Sequence, residues 1–301
     1  MQLLYVLESI RFPLLNELML LITQFGDETA FLVAALIIFW CVDKNRAYYV
    51  LGVGFCGTIL NQFLKLVWQV PRPWVQDPGF QPVEGAVGAA EGYSFPSGHS
   101  QSSVGTFGAL AATEKNKALK WIFIAICVLV PFSRMYLGVH FPSDVLVGIA
   151  CAVALIFLMR FLSRGDYVKQ TLAAMCALAV VYLCFVCFVL DSSKMDAYNY
   201  THGLENAFTM LGATFGMLLV YWIDNKWVHF SVKAVWWAQI LKVMGGLAAV
   251  LSVKVGTKSV LNVLLGEYAG RAARYFLVVL VAGALWPLTF RYFERLGKKE
   301  S

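Results

Sequence analysis

Charged side chains are scarce in this chain: Asp, Glu, Lys and Arg together make up 14% of its 301 residues. A water-soluble domain carries about 25%, and a single soluble core stops growing near this length. The apolar majority, 59% of residues with a mean hydropathy of +0.68, has nowhere to hide in water. Two soluble domains are excluded, and 15% aromatics excludes a disordered chain. Other shortages narrow the chemistry. The seven cysteines lie in or at the ends of apolar runs, none at zinc-like spacing from a histidine. They read as small buried apolar side chains, and no disulfide framework is required. No carboxylate cluster or His-x-His spacing occurs, so neither a metal nor another cofactor is expected. The net charge is +6, yet no basic stripe with interleaved aromatics appears, so nucleic acid is not an expected partner. The N-terminus lacks the cationic start and small-residue cleavage site of a signal peptide.

What is abundant is apolar run length. Spans of the length a bilayer requires are read near 28–42, 47–68, 99–112, 119–137, 142–161, 170–190, 205–223, 235–253 and 272–290. The expected architecture is all-α: a polytopic membrane helix bundle of about nine spans. The third span is short and has to begin inside the protein. The eighth contains Lys242, and an unpaired lysine at membrane depth is costly. The sequence therefore favours a course in which 231–242 lies along the interface and 243–265 crosses. Residues 1–27 read as an amphipathic segment lying on the membrane, broken near Pro13 and ended by Gly26. Gly212-x3-Gly216 reads as close helix packing within the chain, a homodimer contact being the lesser alternative.

Nine crossings place fourteen of the 24 Lys and Arg residues on one side, including Lys44, Arg46, Arg164, Lys298 and Lys299. By the positive-inside rule that side is cytoplasmic. The Gly/Pro-rich loop 69–98 and the bend 137–142 then face outward. Within that loop, residues 74–95 read either as a mobile lid or as a floppy surface connection.

Four polar clusters interrupt the apolar sequence on the outward side: Lys65 with Arg72-Pro73, Pro96-Ser97-Gly98-His99, Ser133-Arg134, and His140 with Asp144. Three cations beside a single acid call for an anion to join them. Arg72 and Arg134 offer planar forks to phosphate oxygens and Lys65 a point charge. The Ser97-Gly98-His99 turn presents free amides at a helix start, with Gly98 allowing close approach. His140 and Asp144 stand one helical turn apart, behind Pro142. The carboxylate can hold one imidazole nitrogen as donor and leave the other to attack phosphorus. His99 is then the acid that protonates the departing oxygen and later activates water. Two such histidines suffice for phosphoryl transfer without metal.

These clusters carry a resemblance. Lys65-x6-Arg72-Pro73, Pro96-Ser97-Gly98-His99 and Ser133-Arg134-x5-His140-x3-Asp144 match all eleven fixed positions of the three-part signature of the type-2 phosphatidic acid phosphatases. That superfamily includes lipid phosphate phosphatases, glucose-6-phosphatase and the soluble vanadium haloperoxidases. The resemblance covers about residues 28–165. It implies a six-helix phosphatase core over 28–190, followed by an extension over 191–301 with about three further transmembrane helices. It also implies phosphate binding by Lys65, Arg72, Ser97, Gly98 and Arg134, acid–base work by His99, a phosphohistidine at His140 and orientation by Asp144.

The expected function is hydrolysis of a lipid phosphate monoester or diphosphate at the outward face of a cell membrane (the ER lumen in a eukaryote), with membrane lipids as surroundings. A nine-span plan also resembles glucose-6-phosphatase and sphingosine-phosphate phosphatases. A soluble sugar phosphate or another phosphate acceptor therefore remains an alternative substrate. A non-enzymatic lipid-handling protein or transporter on the same scaffold is the remote one.

Overall fold

The computed structural model describes residues 1–88, 90, 92–162 and 167–296. The sequence-assigned cytoplasmic cations Arg164, Lys298 and Lys299 lie outside the described residues. Fifteen α-helices and no strand occur among them. They are α1 (Gln2–Ser9), α2 (Pro13–Thr23), α3 (Glu28–Cys41), α4 (Lys44–Trp68), α5 (Pro73–Gln76), α6 (Glu84–Val87), α7 (Gly98–Thr113) and α8 (Lys117–Tyr136). There follow α9 (Pro142–Leu162), α10 (Val168–Cys184), α11 (Ala197–Ile223), α12 (Trp236–Gly256), α13 (Lys258–Leu265), α14 (Glu267–Leu280) and α15 (Phe290–Arg295).

Helix starts follow local chemistry. Pro13 opens α2, where its missing N–H goes unneeded. The Asp27 carboxylate accepts from the Thr29 amide at 2.7 Å ahead of α3. Asn116 caps α8 by accepting from the amides of Ala118 and Leu119 at 2.9 and 3.2 Å.

Seven helical stretches are long and apolar enough to cross a membrane. The pair Pro13–Gly26 and Glu28–Cys41, bent by 52°, makes an eighth if taken as one span. The expected architecture, an all-helical membrane bundle with a helical C-terminal extension, is what is found, although the count of nine spans is not reached. The difference is α7: its 16 residues rise about 24 Å against a hydrocarbon thickness of about 30 Å. Ten of its residues are buried and only Thr113 is exposed, so protein covers most of it, as its shortness required. Elsewhere large apolar side chains point outward, among them Trp121, Phe157 and Phe188, each at least two-thirds exposed, which is the inside-out pattern of a lipid-facing surface.

Two compact units are formed, the first from Met1–Val33, Tyr49–Phe161 and Ser192–His202, the second from Ala34–Tyr48, Leu162–Asp191 and Gly203–Ser301. In the first, α7 and α8 form an antiparallel hairpin, and α2 packs along α8. α2 buries Met19 against Tyr136, Leu137, Val139, Ala86 and Ala90, while Leu14, Leu18 and Leu21 remain exposed. Among its described residues, the connection 74–95 is packed rather than a floppy surface segment. Phe80, Ala86 and Ala90 are buried, and its backbone is tied by Ser94 N to Val70 O at 2.7 Å and by Val83 N to Leu137 O at 3.0 Å. The N-terminal helices grip it as well. Tyr5 donates to Asp77 at 2.9 Å, the Gln81 amide donates to Glu8 at 3.2 Å, and Arg11 donates to the carbonyls of Gln81 and Tyr136.

In the second unit, Lys44 and Asp224 pair at 2.6 Å, and the Trp40 indole donates to Ala282 O at 2.8 Å. The interfacial course favoured for 231–242 is not adopted. α12 is continuous from Trp236 and carries Lys242 fully buried within it. The reason is that Lys242 is not unpaired: its ammonium donates back to Val232 O at 3.1 Å and lies over the Phe290 ring, 4.4 Å from the centroid. Gly212-x3-Gly216 proves to be packing within the chain, on α14. A Cβ at Gly212 would overlap the Ala272 carbonyl group, and one at Gly216 would press on Val279.

Gly212→Leu should therefore cost about 1–3 kcal/mol by overpacking, read as a lowered melting temperature of the purified protein. Gly256→Ala, where a Cβ meets nothing within 4 Å, should leave it unchanged or slightly raised.

Candidate active site

The turn between α8 and α9 brings the densest chemistry together. Leu137 N closes on Ser133 O at 2.8 Å, and Gly138 takes φ +78°, a conformation that side chains resist. Val139 N then returns to Arg134 O at 3.1 Å. Pro142 starts α9 with Asp144 in its first turn, where free amides and the helix dipole favour a carboxylate. Asp144 Oδ2 accepts from the Phe141 amide at 2.9 Å and from the Ser94 hydroxyl at 2.5 Å, and it stands 3.4 Å from His140 Nδ1. Ser143 Oγ donates to Oδ1 at 3.3 Å. The Asp144 backbone carbonyl accepts from Ser97 N at 3.0 Å. One residue thus ties the loop, the start of α7 and the bend together.

His140 is 1% exposed. Burial, followed by the positive charges of Arg72, Arg134 and Lys65, pushes it well below the usual imidazole range. It is therefore neutral at neutral pH and able to present a lone pair. Arg72 Nη1 lies 2.9 Å from Nε2 and 3.4 Å from Nδ1. Being nearly equidistant from two nitrogens of one ring, Nη1 sits against the ring face rather than at the end of either lone pair. The Arg72 side chain is held there by two backbone carbonyls, with Nε donating to Gly92 O and Nη1 to Val139 O, both at 2.9 Å.

Ser97 caps α7: its Oγ accepts from the Ser100 amide at 3.4 Å and the Ser100 hydroxyl at 2.9 Å. The amides of Gly98 and His99 are the first-turn donors left without an intrahelical acceptor. Arg134 is fully buried, with Nη1 donating to Thr23 Oγ1 at 2.8 Å, while Nε and Nη2 have no hydrogen-bond partner among the described residues. Lys65 and His99 are half-buried. Lys65 lies within electrostatic reach of Arg72 and Arg134, and His99 within reach of all three cations.

All eight residues singled out from the sequence, Lys65, Arg72, Ser97, Gly98, His99, Arg134, His140 and Asp144, therefore gather around one point of the first unit. The acids in reach of Lys65 are Asp144 and also Glu28, the first residue of α3. Three cations face two carboxylates, and Asp144 is already committed to the His140 side. Such a pocket retains a surplus of donors and positive charge for an anion.

Four supporting residues escaped the sequence reading. Ser94 sits on Asp144. Asn61, one turn before Lys65 on α4, donates to Gln101 Oε1 at 2.9 Å and to Pro96 O at 3.4 Å. Gln101 in turn donates to Gly57 O at 2.7 Å, fastening α7 to α4. The polarity of Asn61 and Gln101 inside apolar runs was the available signal for them. Thr23, on the N-terminal arm, had none.

Residues 46–167 match the PAP2 superfamily, and residues 208–299 match the family described as PAP2 superfamily phosphatase, transmembrane extension. Phosphatidylglycerophosphatase B of Bacillus subtilis is 32% identical over 166 residues, covering 50% of this chain and 76% of that protein. Undecaprenyl-diphosphatase BcrC of Bacillus subtilis is 27% identical over 146 residues, covering 48% and 72%. The crystal structure of the first transmembrane PAP2 type phosphatidylglycerolphosphate phosphatase from Bacillus subtilis is 31% identical. It covers 53% of this chain and 82% of that one, with a TM-score of 0.45.

Thr23→Val removes the only hydrogen bond that the Arg134 side chain makes among the described residues. It should cost about 1–3 kcal/mol, measured as a fall in melting temperature, and Thr23→Ser should restore most of the loss.

Proposed function

The chain belongs to the PAP2 superfamily, and from that footing we propose that it cleaves a lipid phosphate monoester or diphosphate through a phosphohistidine on His140. The observation that carries this reading is the surplus of buried donors, above all the two unpartnered nitrogens of Arg134, around a neutral histidine backed by a carboxylate.

The substrate phosphate is held by Arg134, Lys65, Arg72 and the Gly98 and His99 amides. Asp144 Oδ2 holds the proton on His140 Nδ1, so Nε2 carries the lone pair that attacks phosphorus. A P–N bond forms as the P–O bond to the leaving group breaks, and His99, protonated once the bound phosphate offsets the three cations, gives its proton to the departing oxygen. The leaving group is a lipid alcohol from a monoester or a lipid monophosphate from a diphosphate. His99, now neutral, takes a proton from water. The resulting oxygen attacks the phosphohistidine, releasing inorganic phosphate and regenerating His140. Because Arg72 rests on the ring face, it can turn a nitrogen toward phosphate without vacating the attacking position.

Lys44, Arg46, Lys115, Lys117, Lys120 and Arg160 lie at the ends of α4, α7, α8 and α9 opposite to the site residues, a distribution that supports an outward-facing site in a bacterial cell membrane. The apolar outer surface supports a lipid substrate, whose tail stays in the bilayer while its headgroup enters.

His140→Ala should abolish release of inorganic phosphate from a panel of polyprenyl diphosphate, phosphatidate, phosphatidylglycerophosphate and sphingoid phosphate. Asp144→Asn should lower turnover by about 10²–10⁴-fold. Full activity in either variant overturns the assignment, whereas a preference for sugar phosphates would move only the substrate. Activity should persist in EDTA and fall with vanadate; a strict metal requirement contradicts the mechanism. Intact cells should hydrolyse an added membrane-impermeant short-chain substrate, and activity appearing only after lysis would place the site on the other face.

A further inference from the structure

The two arginines of α14 stand one turn apart and are treated differently. Arg271 is engaged: its Nη1 lies 2.7 Å from Glu205 Oε1, and its Nε donates to Thr209 Oγ1 at 3.1 Å. Arg274 is more deeply buried, at 6% exposure. Its Nε and Nη1 nonetheless find no hydrogen-bond acceptor, and no carboxylate pairs with it among the described residues. Nearby acids are spent or distant in sequence. Glu205 is taken by Arg271, and Glu267 is exposed at the start of α14, two turns before Arg274.

The Arg274 guanidinium does lie against the Tyr275 ring, 5.6 Å from its centroid, and Lys254 Nζ of α12 approaches the same ring at 5.9 Å. A ring face returns only a small part of what a guanidinium loses when it leaves water. The second cation adds repulsion rather than relief. A buried cation in a membrane-spanning helix without a counter-ion marks a place where an anion is recruited.

We propose that α12 and α14 form a second anion site, in the extension, which takes the phosphate group of an anionic phospholipid. Arg274 supplies hydrogen bonds from the nitrogens the chain leaves unused, and exposed Lys254 supplies a second charge at the mouth. The surrounding surface suits a lipid better than a free ion. Val255 on α12 and Val260 and Val263 on α13 are largely exposed, and α13 packs on α14, so acyl chains have an apolar wall beside the cations.

The test is the melting temperature of the full-length protein in neutral detergent, with phosphatidylglycerol, phosphatidylcholine or inorganic phosphate added. Phosphatidylglycerol at saturation should raise it by on the order of 5 °C more than phosphatidylcholine. Arg274→Gln should remove most of that difference, and Lys254→Gln, a surface change that spares folding, should reduce it. Lys120→Gln, which deletes an exposed cation of α8, should leave it intact. An equal response to inorganic phosphate at millimolar concentration would assign the site to a free anion and overturn the lipid as occupant. An unchanged difference in both Arg274→Gln and Lys254→Gln would show that Arg274 is satisfied by water and overturn the site. None of these outcomes depends on turnover, so failure here leaves the phosphatase reading standing, and the reverse holds too.

Discussion

Asp144 is the junction on which the first unit depends. Its side chain accepts from Ser94 in the long connection and from Phe141 in the bend, and its main-chain carbonyl holds Ser97 at the start of α7. Two stretches of chain, 94–97 and 141–144, are thereby fixed to one another although Ser94 and Asp144 stand 50 residues apart. The price of such a buried carboxylate is its desolvation, offset here by hydrogen bonds from both hydroxyl and amide donors. The same bonds fix the orientation of the imidazole beside it, so holding the fold and aiming His140 are one task rather than two.

Around that junction neutral groups hold the arginines. Arg72 hangs from two carbonyls and Arg134 from the hydroxyl of Thr23. A hydroxyl tether such as that of Thr23 positions the Arg134 guanidinium without cancelling its charge, which a carboxylate would do. The N-terminal arm is therefore more than a membrane-surface appendage. Through Tyr5, Glu8 and Arg11 it grips the connection that carries Ser94, and through Thr23 it reaches Arg134 itself.

Residue spacing made the eight candidate residues legible, because His140 and Asp144 one turn apart, or Ser97 at a helix start, have few reasons to recur together by chance. Ser94 and Thr23 were not legible, since a hydroxyl in a loop or on an amphipathic helix acquires its role only from what tertiary contact sets opposite it. Long apolar runs announced α4, α9 and α10 through composition alone. Lys242 misled for the opposite reason: its cost was judged as that of an isolated charge, whereas Val232 and Phe290, ten residues before and 48 after it in sequence, relieve it. The packed course of the connection 69–97 was likewise invisible, because glycine-rich sequence reads as loose until Phe80 and Ala86 are seen buried.

The shortness of α7 has a physiological side. A helix of 16 residues that carries Ser97 and His99 at its start cannot keep both ends at the two surfaces of a bilayer of ordinary thickness. The depth at which a headgroup must be drawn in becomes a property shared by protein and membrane. A thinner bilayer shortens that descent and a thicker, more ordered one lengthens it. For the lipid substrate proposed above, membrane composition thus sets the working distance of the site without ever touching its residues.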